Sequence, residues 1–237
     1  MSSCIVCLKM GDKYSSDYVN NLYYMTRRYT DLPFICFTDD PYGILPEIER
    51  HAILPYACEK YWPAWNKIEL FGRKELEKYE KKIFFDLDVI IHDNIDPILN
   101  HEDNFSVIHS KWKENMFTLT VYNSSVMVWK DNTKIYEDWK ANRDFFIMKY
   151  KGIDKYFSLE KVPLTYVPPI VYSYRLGTKL SDRYLLDDER NIIDFNPNYN
   201  DGVFEIQPNH SIAIFHGEPN IHDLKKDEHE ILKYWGK

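Results

Sequence analysis

Residues 83–93, IFFDLDVIIHD, carry two carboxylates two positions apart in the middle of an apolar run. A short apolar run of this kind is typical of a strand buried inside a sheet. A charge left unpaired in such a strand costs several kcal/mol or loses its ionisation. We therefore expect a central strand that ends at Asp86, with Leu87 turned into the core and the carboxylates of Asp86 and Asp88 turned together toward a ligand.

Strand and helix patterns alternate through the first half of the chain, which predicts an α/β fold. Apolar runs predict strands at 5–9, 33–38, 52–54, 83–85, 105–109, 125–129 and 211–215. Amphipathic or capped segments predict helices at 16–29, 65–79, 133–151 and 223–234, and three prolines make 163–174 extended or looped. This order favours a mostly parallel sheet covered on both faces. No linker or repeat is apparent, so we expect one domain over residues 1–237.

The net charge argues against a nucleic-acid ligand, and the hydropathy argues against a membrane-spanning segment. The net charge is −7 and no basic tail or block is present, which argues against nucleic acid as the main ligand. The N-terminal residues lack the layout of a signal peptide, and no apolar run approaches the ~20 residues of a membrane helix. We therefore expect a cytoplasmic protein without a transmembrane segment.

The spacing of Cys4 and Cys7 raises the possibility of a zinc site. Both lie in a predicted strand, where residues three apart point to opposite faces, and no second ligand pair follows at zinc spacing. We therefore interpret these residues, with Cys36 and Cys58, as buried, reduced thiols.

Polar residues directly follow or precede several of the predicted strands. Ligands of open α/β sheets bind beyond the carboxyl ends of the strands. By this rule, one rim of the sheet could collect Asp39, Asp86, Asp88, Asn123, Ser124, Ser125 and His216.

The two aspartates at 86 and 88 are expected to bind a divalent cation. Adjacent carboxylates repel each other, and one would hold a proton unless a cation neutralised the pair. Mg²⁺ and Mn²⁺ prefer oxygen ligands and keep positions open for phosphate oxygens. The sequence thus predicts Mn²⁺ or Mg²⁺ here, carrying a diphosphate.

The chain resembles the GT-A glycosyltransferases that use nucleotide sugars. Residues 65–99 are similar to the helix, central strand and Asp-x-Asp of that family. The segment YNSSVMVWK at 122–130 resembles the block that lines the donor sugar, and FTDDP at 37–41 resembles the loop that contacts the nucleoside. SIAIFHGEPNIHDL at 211–224 resembles the C-terminal His-Gly-x-Pro block of the glycogenin and galactosyltransferase-like branch. The blocks occur in the family's order and cover most of the chain.

The resemblance implies a metal-dependent transfer of a hexose from a nucleoside diphosphate sugar to an acceptor hydroxyl. The expected carrier is UDP, and the acceptor is a glycan, a lipid or a protein. It implies a Rossmann-like GT-A fold, His216 as a third metal ligand beside Asp86 and Asp88, and a retaining reaction. The donor-binding residues it implies or allows are Asp39, Trp65, Lys67, Asp86, Asn123, Ser124, Arg175 and Gly217.

Several roles stay open within this interpretation. Asp86 binds the metal through water or holds the ribose, and Trp65 stacks near the base or packs in the core. The family's Pro-Lys-Pro is replaced around Asn220 and Ile221, and we assign its positive charge to Arg175. Asp154, in a loose match to the family's Gly-Asp segment, is the predicted catalytic carboxylate. If the reaction inverts configuration, the base near the acceptor would be Asp154 or a carboxylate of LLDDE at 185–189.

Two other functions are compatible with parts of the sequence. A haloacid-dehalogenase-type phosphatase also places Asp-x-Asp after an apolar strand, but there the motif opens the core domain, whereas here at least two predicted strands precede it. A non-catalytic carbohydrate-binding protein on a glycosyltransferase fold is favoured by the missing Pro-Lys-Pro.

Overall fold

A computed structural model of the chain describes residues 2–53, 63–113, 121–131, 133–150, 152–160, 162–178, 184–186, 192–195 and 202–236. Its strands are Ser3–Lys9 (β1), Phe34–Thr38 (β2), Glu49–Ala52 (β3), Lys81–Phe85 (β4), Val89–Ile91 (β5), Phe105–His109 (β6), Tyr122–Trp129 (β7), Thr165–Tyr166 (β8), Val171–Ser173 (β9), Tyr184–Leu186 (β10), Ile192–Phe195 (β11) and Ile212–Ile214 (β12). Its α-helices are Ser16–Arg27 (α1), Asp96–Leu99 (α2), Thr133–Ala141 (α3), Arg143–Lys149 (α4) and Ile153–Leu159 (α5). Segments of 3₁₀ helix cover Pro63–Gly72, Lys74–Leu76, Lys111–Lys113, Ile221–Asp223 and Glu230–Tyr234.

The central sheet has seven strands in the order β3-β2-β1-β4-β7-β6-β8. β3, β2, β1 and β4 are parallel to one another, β6 is parallel to β8, and β7 is antiparallel to both β4 and β6. A smaller sheet pairs β12 with β5 and β9, and β10 pairs with β11. This mixed, mostly parallel sheet with helices around it confirms the predicted α/β class.

The core divides into two clusters because successive strand residues point to opposite faces of the sheet. Cys7 and Phe85 pack on the face covered by α1 and the smaller sheet. Cys4 and Phe84 pack on the other face, under the 3₁₀ segment Pro63–Gly72 and helices α3 to α5. The two cysteines of the CxxC are therefore buried, free thiols on opposite faces, as predicted, and so is Cys36. Cys58 lies outside the described residues.

Three predicted helices differ from the observed structure for local physical reasons. Residues 65–79 lie in two 3₁₀ segments that are separated at Arg73, whose backbone is extended. Residues 133–151 are interrupted at Asn142, whose side chain competes with the backbone for hydrogen bonds.

The predicted closing helix at 223–234 is also wrong. Only two short 3₁₀ turns form here, because KKDEHE at 225–230 offers no apolar residue for a helix to bury. The first turn begins earlier, at a capping box formed by Asn220 and Asp223. Ile231 and Leu232 are buried by a separate 3₁₀ turn.

Smaller shifts affect two of the strands. The strand predicted at 52–54 lies at Glu49–Ala52, and residue 54 is outside the described ranges. The proline-containing segment 163–174 contains β8 and β9 with Pro168 and Pro169 between them. Within the ranges given above, no helix has the length and apolar character needed to cross a membrane.

Candidate functional site

One edge of the central sheet collects most of the polar residues singled out in the sequence. β4 ends at Phe85, directly before Asp86, and the backbone N–H of Asp86 donates to the carbonyl of Ser125 at 2.8 Å. Because β7 is antiparallel to β4, the beginning of β7 lies at the carboxyl end of β4. The antiparallel direction of β7, which the sequence did not predict, thus brings Asn123 and Ser124 to the edge that carries the aspartates.

Asp86, Leu87 and Asp88 form the turn between β4 and β5. Leu87 is buried, whereas both aspartates are partly exposed. The carboxylates therefore face away from the core while the residue between them anchors the turn in it. This is the side-chain arrangement expected from the sequence.

Asp86 forms an ion pair with a lysine that the fold has largely buried. The Nζ of Lys67, on the 3₁₀ segment Pro63–Gly72, lies 2.7 Å from Oδ2 of Asp86. The same ammonium donates to Oγ of Ser124 at 3.2 Å and lies 5.4 Å from the ring centroid of Phe84. Lys67 is only 9% exposed, so this pair is shielded from solvent and fixes the Asp86 side chain.

Asp88 accepts a hydrogen bond from Tyr14, a residue of the loop after β1. The Tyr14 hydroxyl donates to Oδ2 of Asp88 at 2.8 Å. Burial of the carboxyl group, and next the negative charge of Asp86, raise the pKa of Asp88 from 3.8 to about 6. Burial and the nearby Asp88 also raise the pKa of Tyr14, so the phenol stays protonated and remains a donor. The negative charge of Asp86 therefore adds to burial in disfavouring the ionised form of Asp88.

His216 follows β12 and approaches the turn of Asp88 through the backbone. The N–H of Phe215 donates to the carbonyl of Asp88 at 2.9 Å. The Nε2 of His216 shares a 2.7 Å hydrogen bond with Oγ of Ser173, and its ring is parallel to that of Trp112 at 6.2 Å between centroids. Among the described residues, no group of three His, Cys, Asp or Glu side chains is arranged to hold a metal ion.

Asp154 and Asn123 stabilise the beginning of β7. Oδ1 of Asp154 accepts the backbone N–H of Ser124 at 3.0 Å, and Oδ1 of Asn123 accepts that of Ser125 at 2.9 Å. Asp154 therefore lies at the predicted rim, with one carboxylate oxygen engaged by the strand that carries Ser124. The alternative carboxylates at 187–189 lie outside the described residues.

Arg175 lies next to the His-Gly-x-Pro segment. Its Nη1 donates to the carbonyl of Glu218 at 2.9 Å, and its buried Nε has no hydrogen-bond partner among the described residues. Gly217 has φ +79°, a conformation that favours glycine. A cleft of about 620 Å³ opens beside Arg175, Glu218 and Asp223. This arrangement places an unsatisfied cationic donor close to His216.

Trp65 does not reach the rim, and the structure corrects the expectation that it stacks on a base. The indole is fully buried between Trp139, at 6.2 Å, and Tyr156, at 5.7 Å between centroids. It is a core residue that supports the segment carrying Lys67. Asp39 is exposed and accepts the backbone N–H of Gly11 at 2.9 Å, which joins the loops after β1 and β2.

Sequence reasoning missed three side chains of this region: Tyr14, Trp112 and Ser173. Each contacts a predicted site residue that is far away in the sequence, Tyr14 being 74 positions from Asp88. No local pattern marks such residues, since only the fold brings them together.

Comparison with known proteins gives a fold but no close relative. No protein-family model and no curated protein matches the sequence. Among solved structures, the galactosyltransferase LgtC in complex with donor and acceptor sugar analogs is 12% identical, with a TM-score of 0.55 over 91% of this chain and 88% of that one. An active-site mutant of LgtC is also 12% identical and has a TM-score of 0.60 over the same shares. The chain therefore has a GT-A glycosyltransferase fold.

Proposed function

We propose that the protein is a metal-dependent glycosyltransferase that moves a hexose from a nucleoside diphosphate, with UDP as the expected carrier, to an acceptor hydroxyl with retention of configuration. One observation carries the proposal: on a GT-A sheet, two partly exposed carboxylates, Asp86 and Asp88, directly follow the carboxyl end of the central strand β4. The LgtC structure in complex with donor and acceptor sugar analogs supports this function by analogy.

Two carboxylates of one turn are the oxygen ligands that a divalent cation of oxygen preference takes, although the described residues form no ready-made group of three such ligands. Burial and the charge of Asp86 raise the pKa of Asp88 to about 6, and a bound cation would favour its ionised form. Asp86 and Asp88 would hold Mn²⁺ or Mg²⁺, and we assign His216 as the third ligand because its strand end adjoins Asp88. Such a cation, when bound, would stabilise the charge that develops on a departing diphosphate.

The chain's own residues would bind and orient the donor. Lys67, which pairs with Asp86, and Arg175, which contacts the segment after His216, would supply positive charge for the sugar hydroxyls or the diphosphate. Asn123 and Ser124 would line the sugar and Asp39 the nucleoside, while Gly217 keeps backbone close to the diphosphate without a side chain. Positioning of this kind can contribute a large part of a transfer rate.

Asp154 is the proposed catalytic carboxylate, and its hydrogen bond restricts what it can do. One oxygen holds the N–H of Ser124, so only the other is available to a substrate hydroxyl. A retaining reaction needs no separate base, and this geometry is compatible with Asp154 orienting the sugar.

Two rival functions compete less well. The phosphatase alternative expects its motif after the first core strand, whereas here Asp86 follows β4 in a GT-A sheet. The non-catalytic alternative gains support from His216, because its Nε2 is engaged by a hydrogen bond with Ser173 and is not free to bind a metal. Sugar binding without metal and without turnover of any nucleotide sugar would favour that alternative.

The function is tested by thermal unfolding of the wild-type protein with UDP and Mn²⁺, separately and together. At ten times its Kd, UDP should stabilise the protein by about 1.4 kcal/mol in the presence of Mn²⁺, which corresponds to a rise in Tm of about 3–6 °C. ADP with Mn²⁺ serves as the nucleotide control, and UDP with EDTA as the metal control. If no nucleoside diphosphate shifts Tm with any divalent metal, the proposed donor site is wrong.

The affinity for Mn²⁺ should fall with acidification. Because the proton on Asp88 must leave before a cation binds, a pKa of about 6 predicts a loss of about tenfold in apparent affinity between pH 7 and pH 5.

The contribution of Asp88 to the stability of the metal-free protein depends on pH in the opposite sense. A carboxyl group with a raised folded-state pKa binds protons more readily when folded, so stability should decrease from about pH 4 to about pH 6. Mn²⁺ titrations and urea unfolding at pH 5, 6 and 7 measure both effects. A pH-independent Mn²⁺ affinity would contradict the assignment of Asp88.

A further inference from the structure

A second cavity, distinct from the cleft at Arg175, lies at the β6 side of the sheet. It has a volume of about 680 Å³ and is bordered by the end of β6, the following 3₁₀ turn, and the segment from β8 to β9. Its walls include Ile108, Trp112, Tyr166, Val167, Pro168 and Val171. The size and the apolar, aromatic lining are those of a typical small-molecule site.

The cavity adjoins the proposed catalytic edge through one shared wall. β6 is antiparallel to β7, so its carboxyl end lies at the edge where β7 begins. Trp112 borders the cavity, and its indole is stacked on the ring of His216 at an interplanar angle of 9°. A molecule in the cavity would therefore extend toward the edge that carries His216.

The charges of the lining argue against a nucleotide as the occupant. Among the described residues that border the cavity there is no Asp or Glu, and the cation, Lys111, is exposed. The lining therefore offers few charged groups to a diphosphate or a metal ion. The other polar groups, such as Thr178 and His210, are few. The indole N–H of Trp112 is buried and has no hydrogen-bond partner among the described residues, so a ligand oxygen that reached it would satisfy a donor.

We propose that this cavity binds the apolar part of the acceptor, an alkyl or aryl group attached to the sugar or alcohol that receives the hexose. The acceptor role rests on the proposed function, because it assumes that transfer occurs at the adjoining edge. The apolar group would lie against Tyr166 and Val167, and the ligand oxygens would lie toward Trp112. The substrate class is thus an amphiphilic acceptor, in contrast to a free, fully polar sugar.

The test compares the binding of methyl and hexyl β-D-glucopyranoside by calorimetric titration, without UDP or metal. Each methylene buried in the cavity should tighten binding by about fourfold. We expect the hexyl glycoside to bind at least about tenfold more tightly than the methyl glycoside, even if only part of the chain is buried. Equal affinities for the two glycosides would overturn the proposal.

Two variants determine whether the alkyl chain lies in this cavity. Thr178→Trp should fill it and reduce the hexyl affinity to that of the methyl glycoside, and Tyr166→Ala should weaken hexyl binding several-fold by removing a wall. Tyr166 is 43% exposed, so its loss should not unfold the protein, and circular dichroism verifies both folds. Tyr42→Trp, at a tyrosine that is 87% exposed and outside the cavity, is the control and should bind like the parent.

The outcomes separate this proposal from the donor proposal. If both cavity variants retain the hexyl preference, the alkyl group binds elsewhere and the cavity assignment is overturned. If the preference depends on the cavity but UDP and Mn²⁺ never bind, the donor site fails and the acceptor role is overturned with it. If the hexyl glycoside also increases UDP release from a UDP-hexose more than the methyl glycoside does, the acceptor role is supported.

Discussion

Replacing Asp88 with asparagine should weaken Mn²⁺-dependent binding of UDP at least about 100-fold while the protein stays folded. Asparagine keeps the shape of the side chain and still offers an oxygen to the Tyr14 hydroxyl, which donates to Oδ2 at 2.8 Å in the parent. It removes the negative charge that the proposed cation requires. Calorimetric titration of UDP at saturating Mn²⁺, with and without EDTA, measures the loss.

The stability of the same variant provides an independent readout. In the metal-free parent, burial and the charge of Asp86 disfavour the ionised form of Asp88 and raise its pKa. Asp88→Asn relieves that repulsion, so its Tm at pH 7.5 should equal or exceed that of the parent. Loss of UDP binding with retained or increased Tm separates a ligand role from a structural one.

A matched control is available at Asp227, an exposed aspartate in the C-terminal segment. Asp227→Asn makes the same chemical change away from the sheet edge and should bind UDP and Mn²⁺ like the parent. If Asp88→Asn also binds both as the parent does, Asp88 is not a ligand and the donor site must be sought elsewhere.

The sequence predicts the inner strands of the central sheet well because each of them carries its own apolar signal, whereas the edge strands β3 and β8 do not. The runs SCIVCLK, FICFT and KKIFF are apolar enough that their burial favours a strand whatever surrounds them, and they form β1, β2 and β4. Helices were harder to predict, because an apolar stripe such as that at 65–79 fits an α-helix and a 3₁₀ segment about equally well over short lengths.

Some residues of the candidate site could likewise be predicted from the sequence, and others could not. Asp86 could be placed at the carboxyl edge of the sheet because it directly follows an apolar strand. Asn123 and Ser124 precede β7, and they reach the same edge because β7 is antiparallel to β4, a direction that the alternation of strands and helices does not give. Tyr14 could not be placed, since its contact with Asp88 depends on how the loop after β1 folds over β4. Trp65 was assigned to a base because an indole serves equally for stacking and for packing, and only its complete burial distinguishes the two.

The second large effect is expected at Lys67, where substitution by methionine should destabilise the metal-free protein by about 2–3 kcal/mol. Methionine preserves the length and the apolar contacts of the stem but removes the ammonium 2.7 Å from Asp86. Breaking a fully buried ion pair from one side costs about 3–5 kcal/mol, because the other charge is left uncompensated. The side chain of Asp86 is 20% exposed, so solvent reduces that cost.

Urea unfolding of a double-mutant cycle isolates the interaction. Asp86→Asn combined with Lys67→Met removes both charges, so the double variant should recover much of the stability that Lys67→Met loses. Lys74→Met is the control, because Lys74 is an exposed lysine in the next 3₁₀ segment. It should change stability by less than about 0.5 kcal/mol. Additive effects of the two substitutions would show that the ion pair contributes nothing to the fold.

Metal should partly replace the missing lysine. In Lys67→Met the carboxylates of Asp86 and Asp88 lose the ammonium that pairs with Asp86, so a divalent cation gains more by binding them than it does in the parent. Mn²⁺ should therefore raise the Tm of Lys67→Met more than that of the parent, and it should have no such added effect on Asp88→Asn. A rise in Tm that is the same in all three proteins would mean that Mn²⁺ binds away from these carboxylates. In that case Lys67 would stabilise the fold without any part in a metal site.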